Sequence, residues 1–223
     1  MFKNPLYCKT KRVVVLDLDH TIIGEASILA QIELSVEGLH WKPGHQPPPL
    51  SEAEIIEQFK QGLLRPDFPE FIQRVRERDG HLVVVYTAAI KKWADKILLA
   101  LNTYLGYQFY CLLLTRQYCI PPNSDKSLLT VQDVLKQMSI IRKPEDFVMI
   151  DNNMVMRDTR LILAPDYLWT PEINLFKRLN GNEILNVKDK NYLLFMDIQY
   201  LNKAQFLRNK EFIRDSFFKT LII

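Results

Sequence analysis

Three short apolar segments of the sequence each end in side chains that can hold a metal ion or a phosphate group. Asp17 and Asp19 follow the first segment, Thr87 follows the second, and Asp151 and Asn152 follow the third. Two carboxylates after a buried strand are costly unless a cation or a proton transfer needs them. Carboxylate and amide oxygens suit Mg²⁺, and a hydroxyl beside backbone N–H groups can hold phosphate oxygens. The pattern therefore predicts phosphate chemistry assisted by a divalent cation.

A lysine lies between the second and third of these segments. Lys126 comes just before a predicted helix, where its ammonium group could neutralise phosphate charge. Each signal is weak alone, since an aspartate after a strand is often only a helix cap. Together, three strands that each end in an oxygen-bearing group favour one functional site over three unrelated caps.

The elements that must position these side chains alternate along the chain. Strands are predicted at Arg12–Leu16, His81–Tyr86, Phe109–Leu114, Phe147–Ile150 and Leu161–Ala164. These runs are continuously apolar, as strands are when helices cover both faces of a sheet. Helices are predicted at 51–61, after a capping box that starts at Ser51, and at Phe68–Arg78, Ile90–Leu105 and Leu128–Met138. This order predicts an α/β fold, a doubly wound parallel sheet flanked by helices, with ligands at the carboxyl ends of the strands.

Two regions interrupt the alternation within what is predicted to be a single domain, 1–223. Residues 22–50 contain a run of three prolines and are predicted to form a small hairpin and loop after the first strand. Residues 173–223 are predicted to be mainly helical. The apolar ending, Phe217–Ile223, either docks on the domain or meets a partner.

Composition and charge limit the class of protein. The chain has 223 residues, of which 48% are hydrophobic and 25% charged, as in an ordinary soluble protein. The net charge is +3, and residues 173–223 hold nine Lys or Arg against five Asp or Glu, interleaved as on a solvated helix face. Nucleic acid is therefore a possible partner but not the favoured one.

The expected location is intracellular, in the nucleus or the cytoplasm. Three cysteines cannot all pair, which favours a reducing compartment. The first residues lack the apolar stretch of a signal peptide, and no apolar run approaches the ~20 residues that span a bilayer. The protein is accordingly expected to be neither secreted nor transmembrane, with no membrane partner.

The motifs together resemble a known superfamily. Asp17–Thr21 matches D-x-D-x-T, the first motif of the haloacid-dehalogenase (HAD) superfamily. Within it, the chain resembles the FCP/SCP type, the NLI-interacting-factor-like phosphatases of the RNA polymerase II C-terminal domain (CTD phosphatases). Further similar segments are Leu64–Pro66, Tyr86–Ala89, Lys92–Asp95, Arg116–Cys119, Lys126–Leu128 and Asp151–Asn152. Asp67 and Asn153 depart from the family, which usually has Gly and Ser at these positions.

The resemblance implies a HAD-like fold without a large cap and a magnesium-dependent phosphomonoester hydrolase. Asp17 would be the nucleophile and would form an aspartyl-phosphate, and Asp19 would be the general acid and then the general base. The Asp17 carboxylate, the Asp19 backbone carbonyl and the Asn152 side chain would hold Mg²⁺.

The resemblance also assigns the remaining polar residues. Thr87 and Lys126 would bind the phosphoryl group, and Asp151 would orient Lys126 or a metal-bound water. Because the set is complete, it argues against a relative that has lost activity.

The substrate is the least determined part of the prediction. Thr21 and Thr87 are too close in sequence for two helices and a large cap as well, and an open site suits a phosphoprotein or phosphopeptide, such as the RNA polymerase II C-terminal tail. Apolar residues between Ile28 and Trp41 either line a wall for a proline-containing phosphoserine peptide or pack the hairpin onto the sheet. Two alternatives stay open: a polynucleotide 3′-end or nucleotide phosphatase on the same fold, and a scaffold that binds phosphopeptides without turnover.

Overall fold

The computed structural model describes residues 12–24, 51–121, 125–153, 160–169 and 214–223. The predicted hairpin insert, apart from residues 22–24, lies outside the described residues, and so does the predicted helical segment before residue 214.

Within the described residues, the sheet has five strands in the order β3-β2-β1-β4-β5. The strands are β1 (Val13–Leu16), β2 (Leu82–Tyr86), β3 (Leu112–Leu114), β4 (Phe147–Asp151) and β5 (Leu161–Leu163). All four neighbouring pairs are parallel. The chain starts in the central strand β1, builds outward through β2 and β3, and then returns to add β4 and β5 on the other side. The predicted doubly wound sheet is confirmed, and its topological switch point lies between β1 and β4.

Helices follow the strands as predicted. They are α1 (Glu52–Gln58), α2 (Phe68–Gln73), α3 (Lys91–Leu105), α4 (Leu128–Gln137) and α5 (Phe217–Thr220). The helices α1 and α2 continue into wider turns at Phe59–Leu63 and Arg74–Arg78, and short 3-10 turns occur at Arg116–Tyr118 and Pro144–Asp146. The predicted capping box is present: Ser51 Oγ accepts the Glu54 N–H at 3.3 Å, and Glu54 Oε2 accepts the Ser51 N–H at 2.7 Å.

The third strand is shorter than predicted because its first residues leave the sheet. Leu112–Leu114 pairs with β2, and the Cys111 N–H just before it donates to the Val83 carbonyl at 2.9 Å. Phe109 is fully buried and packs edge-on against Phe68, with ring centroids 5.6 Å apart. An apolar run thus contains a core-filling segment followed by a strand, and hydrophobicity alone does not separate them.

The first helix changes geometry because of Gly62 and its neighbour Trp169. Gly62 has φ of +122°, a conformation that residues with a side chain rarely adopt. A Cβ at this position would lie 2.7 Å from the Trp169 indole nitrogen. The regular helix therefore ends before Gly62, and the chain turns toward the core strands.

The core is split between the two faces of the sheet. Alternate residues of the central strands, such as Val14, Val83 and Val148, pack with residues of α1, α2 and α3. The intervening residues, such as Val15 and Met149, pack with α4. Helices on both faces explain why the strands are continuously apolar.

The C-terminal helix α5 docks on the domain. Phe218 is fully buried, and its ring lies 4.7 Å from the Phe71 ring and 5.3 Å from the Phe68 ring. Arg74 reaches the same segment and donates hydrogen bonds to the carbonyl oxygens of Phe218 and Leu221. Of the two outcomes left open for the apolar ending, docking is the one found. In the part of the chain that is described, no helix combines the length and apolar character of a membrane span.

Candidate active site

The predicted site residues lie at the switch point of the sheet. Asp17 follows β1 directly, and Asp151 is the last residue of the neighbouring strand β4. The Asp17 N–H donates to the Ile150 carbonyl at 3.0 Å, which continues the pairing of the two strands. Both carboxyl groups are buried, so the ends of two parallel strands bring two acidic side chains together away from water.

Lys126 bridges these two carboxylates. Its ammonium group donates to Asp17 Oδ1 and, at 2.7 Å, to Asp151 Oδ2. Burial disfavours the charged form of Lys126, but the two carboxylates outweigh burial and raise its pKa. Burial and the nearby Asp17 charge raise the pKa of Asp151, against the opposing effect of Lys126. Lys126 is therefore a fixed cation in a site that holds more negative than positive charge.

The start of α4 places Lys126. The neighbouring residue, Ser127, is the N-cap of α4, and its hydroxyl accepts the Leu129 N–H at 3.2 Å. The helix therefore begins immediately after the lysine, which leaves the Lys126 side chain free to enter the site.

The environment of Asp19 also favours a proton, and within the described residues Asp19 has no lysine bound to it. Burial and the Asp17 charge raise the pKa of Asp19 from its usual value of 3.8 to about 6. Asp19 Oδ2 accepts a hydrogen bond of 3.4 Å from the Thr87 hydroxyl, while the buried Oδ1 has no hydrogen-bond partner that meets standard geometry among the described residues. Thr87 is itself fixed, since its hydroxyl accepts the Ala89 N–H at 3.1 Å. A carboxyl group with a raised pKa and a buried oxygen outside standard hydrogen-bond geometry is suited to proton transfer.

Thr21 connects the nucleophile position to the end of β4. Its hydroxyl lies 3.3 Å from Asp17 Oδ2 and 3.2 Å from Asn152 Oδ1, and it accepts the Asn152 N–H at 3.0 Å. Asn152 Nδ2 donates to Asp166 Oδ1 at 2.8 Å, so the orientation of the Asn152 amide is fixed from both sides.

The chain turns sharply after Asp19. His20 has φ of 60°, in the left-handed region, and its carbonyl oxygen accepts the Tyr167 N–H at 2.9 Å. The positive charge of a protonated His20 also lowers the pKa of Asp19, against the larger effect of burial. His20 therefore shapes the turn that presents Asp19.

The donor set fits a magnesium ion. Asp17 Oδ2 and Asn152 Oδ1 both lie within 3.3 Å of the Thr21 hydroxyl, so the two oxygens can converge on one ion. Mg²⁺ takes few protein oxygens and keeps several waters. Three carboxyl groups, those of Asp17, Asp19 and Asp151, face one ammonium group, and a divalent cation would offset the excess negative charge. The described residues contain no cluster of three His, Cys, Asp or Glu that could hold a metal, and the predicted set needs none because it includes an amide and a backbone oxygen.

The structure brings together all six predicted site residues: Asp17, Asp19, Thr87, Lys126, Asp151 and Asn152. Sequence reasoning quoted Thr21 only as part of a motif and did not assign it a contact. It did not identify Asp166 either, because a lone exposed aspartate three residues after a short strand carries no specific signal.

Arg116 lies beside the loop that follows Thr87 and holds that loop in place. Its guanidinium donates to the Ala88 carbonyl at 2.7 Å, and its backbone N–H donates to the Ala89 carbonyl at 3.0 Å. The side chain is exposed, so the loop after β2 is held from the side of β3 by a residue that also faces solvent.

Comparison with known proteins gives a family match. A model described as NLI interacting factor-like phosphatase matches residues 12–179. No curated protein matches the sequence at a significant level.

Solved structures show weaker likenesses. An arginine-to-alanine variant of the fission yeast RNA polymerase II CTD phosphatase Fcp1, bound to beryllium fluoride, is 17% identical with a TM-score of 0.44, over 87% of this chain and 52% of that chain. A further structure of Fcp1, an essential RNA polymerase II CTD phosphatase, is 14% identical with a TM-score of 0.44, over 90% of this chain and 65% of that chain. CbbY from Rhodobacter sphaeroides in complex with phosphate is 14% identical with a TM-score of 0.42, over 66% of this chain and 80% of that chain. This chain thus spans between half and two thirds of the two Fcp1 structures, and at TM-scores this low the likenesses carry no conclusion.

Proposed function

This chain belongs to the NLI interacting factor-like phosphatase family, and we propose that it removes phosphate from phosphoserine or phosphothreonine in proteins through an aspartyl-phosphate on Asp17, with Mg²⁺ as cofactor. The observation that carries the proposal is the contrast between two carboxyl groups. Asp17 contacts the buried ammonium group of Lys126, whereas the pKa of Asp19 is raised to about 6. Two carboxyl groups in such different environments can divide the roles of nucleophile and acid.

In the first step, a carboxylate oxygen of Asp17 attacks phosphorus. The bond between phosphorus and the serine oxygen breaks, and Asp19 gives its proton to that leaving oxygen. The raised pKa of Asp19 supports this role, because a pKa of about 6 leaves a larger protonated fraction near neutral pH than the usual value of 3.8 would.

In the second step, water attacks the phosphorus atom of the aspartyl-phosphate. Asp19, now ionised, accepts the proton of this water, and the bond between phosphorus and Asp17 breaks. Inorganic phosphate leaves, and both carboxyl groups return to their starting states. The hydrogen bond from Thr87 to Asp19 supports a fixed position for the base throughout.

Lys126 and Thr87 bind the transferring phosphoryl group. Lys126 contacts Asp17 directly, so its charge lies beside the atom that attacks phosphorus. A fixed, buried cation there stabilises charge as it develops, without having to reorganise. Asp151 positions Lys126 through its hydrogen bond of 2.7 Å.

Asp17, the backbone carbonyl of Asp19, and Asn152 are the residues that would hold Mg²⁺. When bound, the ion supplies charge neutralisation that lets an anionic nucleophile and an anionic phosphate approach each other. Thr21 supports this set because its hydroxyl can donate to Asp17 Oδ2 while it accepts the Asn152 N–H.

A phosphoprotein substrate is favoured by the limited space for a cap. The helices α1 and α2 and the turns that follow them account for most of the chain between residues 51 and 79, which leaves too few residues before Ser51 for a large enclosing domain. An open site admits a phosphorylated chain segment, and a tail of the kind carried by RNA polymerase II is the proposed example.

The test is phosphate release from three substrates: an aryl phosphate, phosphoserine heptad peptides and a 3′-phosphorylated oligonucleotide. Each is measured with and without Mg²⁺ for the unmodified protein, for Asp17→Asn and for Asp133→Asn, a matched control on the exposed side of α4. Asp17→Asn keeps the shape of the side chain but cannot act as the anionic nucleophile, so its rate is expected to fall by more than about 10³-fold. Asp133→Asn is expected to keep full activity.

The outcomes separate the candidate functions. Peptide hydrolysis that needs both Mg²⁺ and Asp17 supports the proposal. Hydrolysis of the oligonucleotide alone replaces the protein substrate with a polynucleotide. Peptide binding without any hydrolysis identifies a scaffold and overturns the proposed enzyme.

A further inference from the structure

Arg65 is a fully buried arginine that ties the C-terminal segment 214–223 to the domain. Its Nε and Nη2 donate to the two carboxylate oxygens of Asp215 at 3.1 and 2.8 Å. The guanidinium lies 4.7 Å from the Phe217 ring centroid and 5.4 Å from the Tyr167 ring centroid. Aromatic rings on the guanidinium exclude water, and a bidentate arginine–carboxylate pair has a strongly preferred geometry. Arg65 is therefore held in one orientation.

The remaining nitrogen of Arg65 contacts the loop that carries the catalytic residues. Nη1 donates to the carbonyl oxygen of Thr21 at 3.2 Å. Thr21 is also the residue whose hydroxyl contacts Asp17 Oδ2 and accepts the Asn152 N–H. Asp215 is thus linked through one side chain to the backbone of the residue that orients two of the proposed magnesium ligands.

The loop at residues 18–24 is fixed through successive backbone groups. The His20 carbonyl accepts the Tyr167 N–H, and the Ile22 carbonyl accepts the Arg65 N–H. Between them, the Thr21 carbonyl accepts from the Arg65 guanidinium. The Gly24 N–H donates to the Leu63 carbonyl at 2.7 Å. Of these contacts, only the hydrogen bond from the Arg65 guanidinium is made by a side chain. Its geometry therefore depends on Asp215, which orients that guanidinium.

We propose that Arg65 and Asp215 are positioning residues for the active-site loop 18–24, so that the C-terminal segment completes the active site. The inference rests on the proposed function, because the position of the loop affects activity only if Asp17 and Asn152, which Thr21 contacts, are active-site residues. Without Asp215, the Arg65 guanidinium loses the partner that orients it toward the Thr21 carbonyl. The loop then keeps its other contacts, but the Thr21 carbonyl no longer has a fixed donor, so the backbone of Thr21 is held less tightly.

The first measurement is hydrogen exchange of the 18–24 backbone amides, without substrate or metal. The Ile22 N–H donates to the Leu18 carbonyl at 3.0 Å, so its exchange reports opening of the loop. Asp215→Asn, which removes the charge and keeps the shape, is expected to speed this exchange by at least about tenfold. Arg65→Lys keeps the charge but loses the bidentate fork, and is expected to have the same effect if it folds.

Arg74→Gln is the matched control. Arg74 also anchors the C-terminal segment, through the carbonyls of Phe218 and Leu221, but it contacts no residue of the loop. This variant is expected to loosen the end of the segment and to leave exchange of the 18–24 amides unchanged.

The second measurement is steady-state kinetics with an aryl phosphate and increasing Mg²⁺. Asp215→Asn is expected to lower kcat and to raise the Mg²⁺ concentration for half-maximal rate about 10-fold or more, with little change in KM. Asp215→Glu keeps a carboxylate and is expected to recover most of the loss. A purely structural role would lower the melting temperature without this split between kcat and KM.

The two measurements distinguish failure of the inference from failure of the proposed function. Unchanged exchange at 18–24 in Asp215→Asn, or an equal change in Arg74→Gln, overturns the positioning role whatever the activity. Faster exchange in Asp215→Asn alone supports that role even if the unmodified protein hydrolyses no substrate, in which case it is the proposed function that fails.

Discussion

Thr21 and Asn152 hold each other through reciprocal contacts, although 131 residues separate them in the sequence. The Thr21 hydroxyl accepts the Asn152 N–H at 3.0 Å and lies 3.2 Å from Asn152 Oδ1. This pair joins the loop after β1 to the loop after β4 across the switch point of the sheet. It fixes the one amide oxygen in the proposed magnesium set.

Thr21→Val is therefore expected to weaken magnesium binding. Valine has the shape of threonine but offers no acceptor to the Asn152 N–H and no hydroxyl near Asp17. Loss of such an orienting partner typically costs about 10–100-fold in metal affinity. Titration calorimetry with Mg²⁺ and the Mg²⁺ dependence of phosphate release measure this effect. Thr21→Ser keeps the hydroxyl and is the matched control; equal affinity in the two variants would contradict the assigned role.

The central part of the fold and the site could be predicted from the sequence because the signals there are local. The apolar runs ending at Leu16, Tyr86 and Ile150 became the three adjacent strands β1, β2 and β4. Parallel strands share an edge at which their carboxyl ends meet, so residues that follow each strand must converge. Strand order alone was enough to bring Asp17 and Asp151 together, and the predicted helix start after Lys126 places the lysine beside them.

The remainder depends on contacts that leave no local pattern. Arg65 was noted only as part of a similar segment, and Asp215 lies 150 residues further along the chain. Neither residue has a periodicity or spacing that points to the other. The third strand was predicted too long for a related reason. Phe109 is apolar because it fills the core beside Phe68, and it does not pair with β2.

Lys126→Met is expected to lower kcat by about 10²–10³-fold, as removal of a fixed charge-stabilising donor does in other enzymes. Methionine keeps the length of the side chain but leaves Asp17 and Asp151 as two buried carboxylates without a shared cation. Steady-state kinetics with an aryl phosphate at saturating Mg²⁺ measure the change. Lys136→Met, at an exposed position of α4, is the control and is expected to keep normal activity. A loss confined to KM would instead assign Lys126 to substrate binding alone.

In the presence of a chelator, Asp19→Asn is expected to be more stable than the unmodified protein at neutral pH. The pKa of Asp19 is raised to about 6 in the folded state from a usual value of 3.8. A raised pKa contributes stability at pH values below 3.8, and that contribution is lost as pH rises through about 6. A shift of this size corresponds to at most about 3 kcal/mol.

Denaturant unfolding of both proteins from pH 4 to pH 7.5 measures this difference. The free energy of unfolding of the unmodified protein should fall relative to Asp19→Asn as pH rises through about 6, and Mg²⁺ should reverse the fall. A difference between the two proteins that stays constant with pH would show that Asp19 is not held in an environment that favours its protonated form.

Phe218→Ala is expected to destabilise the whole domain, because the C-terminal helix fills part of the main core. The ring is fully buried between Phe68 and Phe71, and removal of a buried phenyl ring typically costs about 3–5 kcal/mol. Ile222→Ala changes a neighbouring side chain that is 89% exposed and is expected to cost almost nothing. Urea unfolding followed by circular dichroism compares the two variants. Equal stability of the two variants would mean that the C-terminal helix does not unfold cooperatively with the domain. A large loss of stability in Phe218→Ala alone would show that this helix and the sheet unfold together.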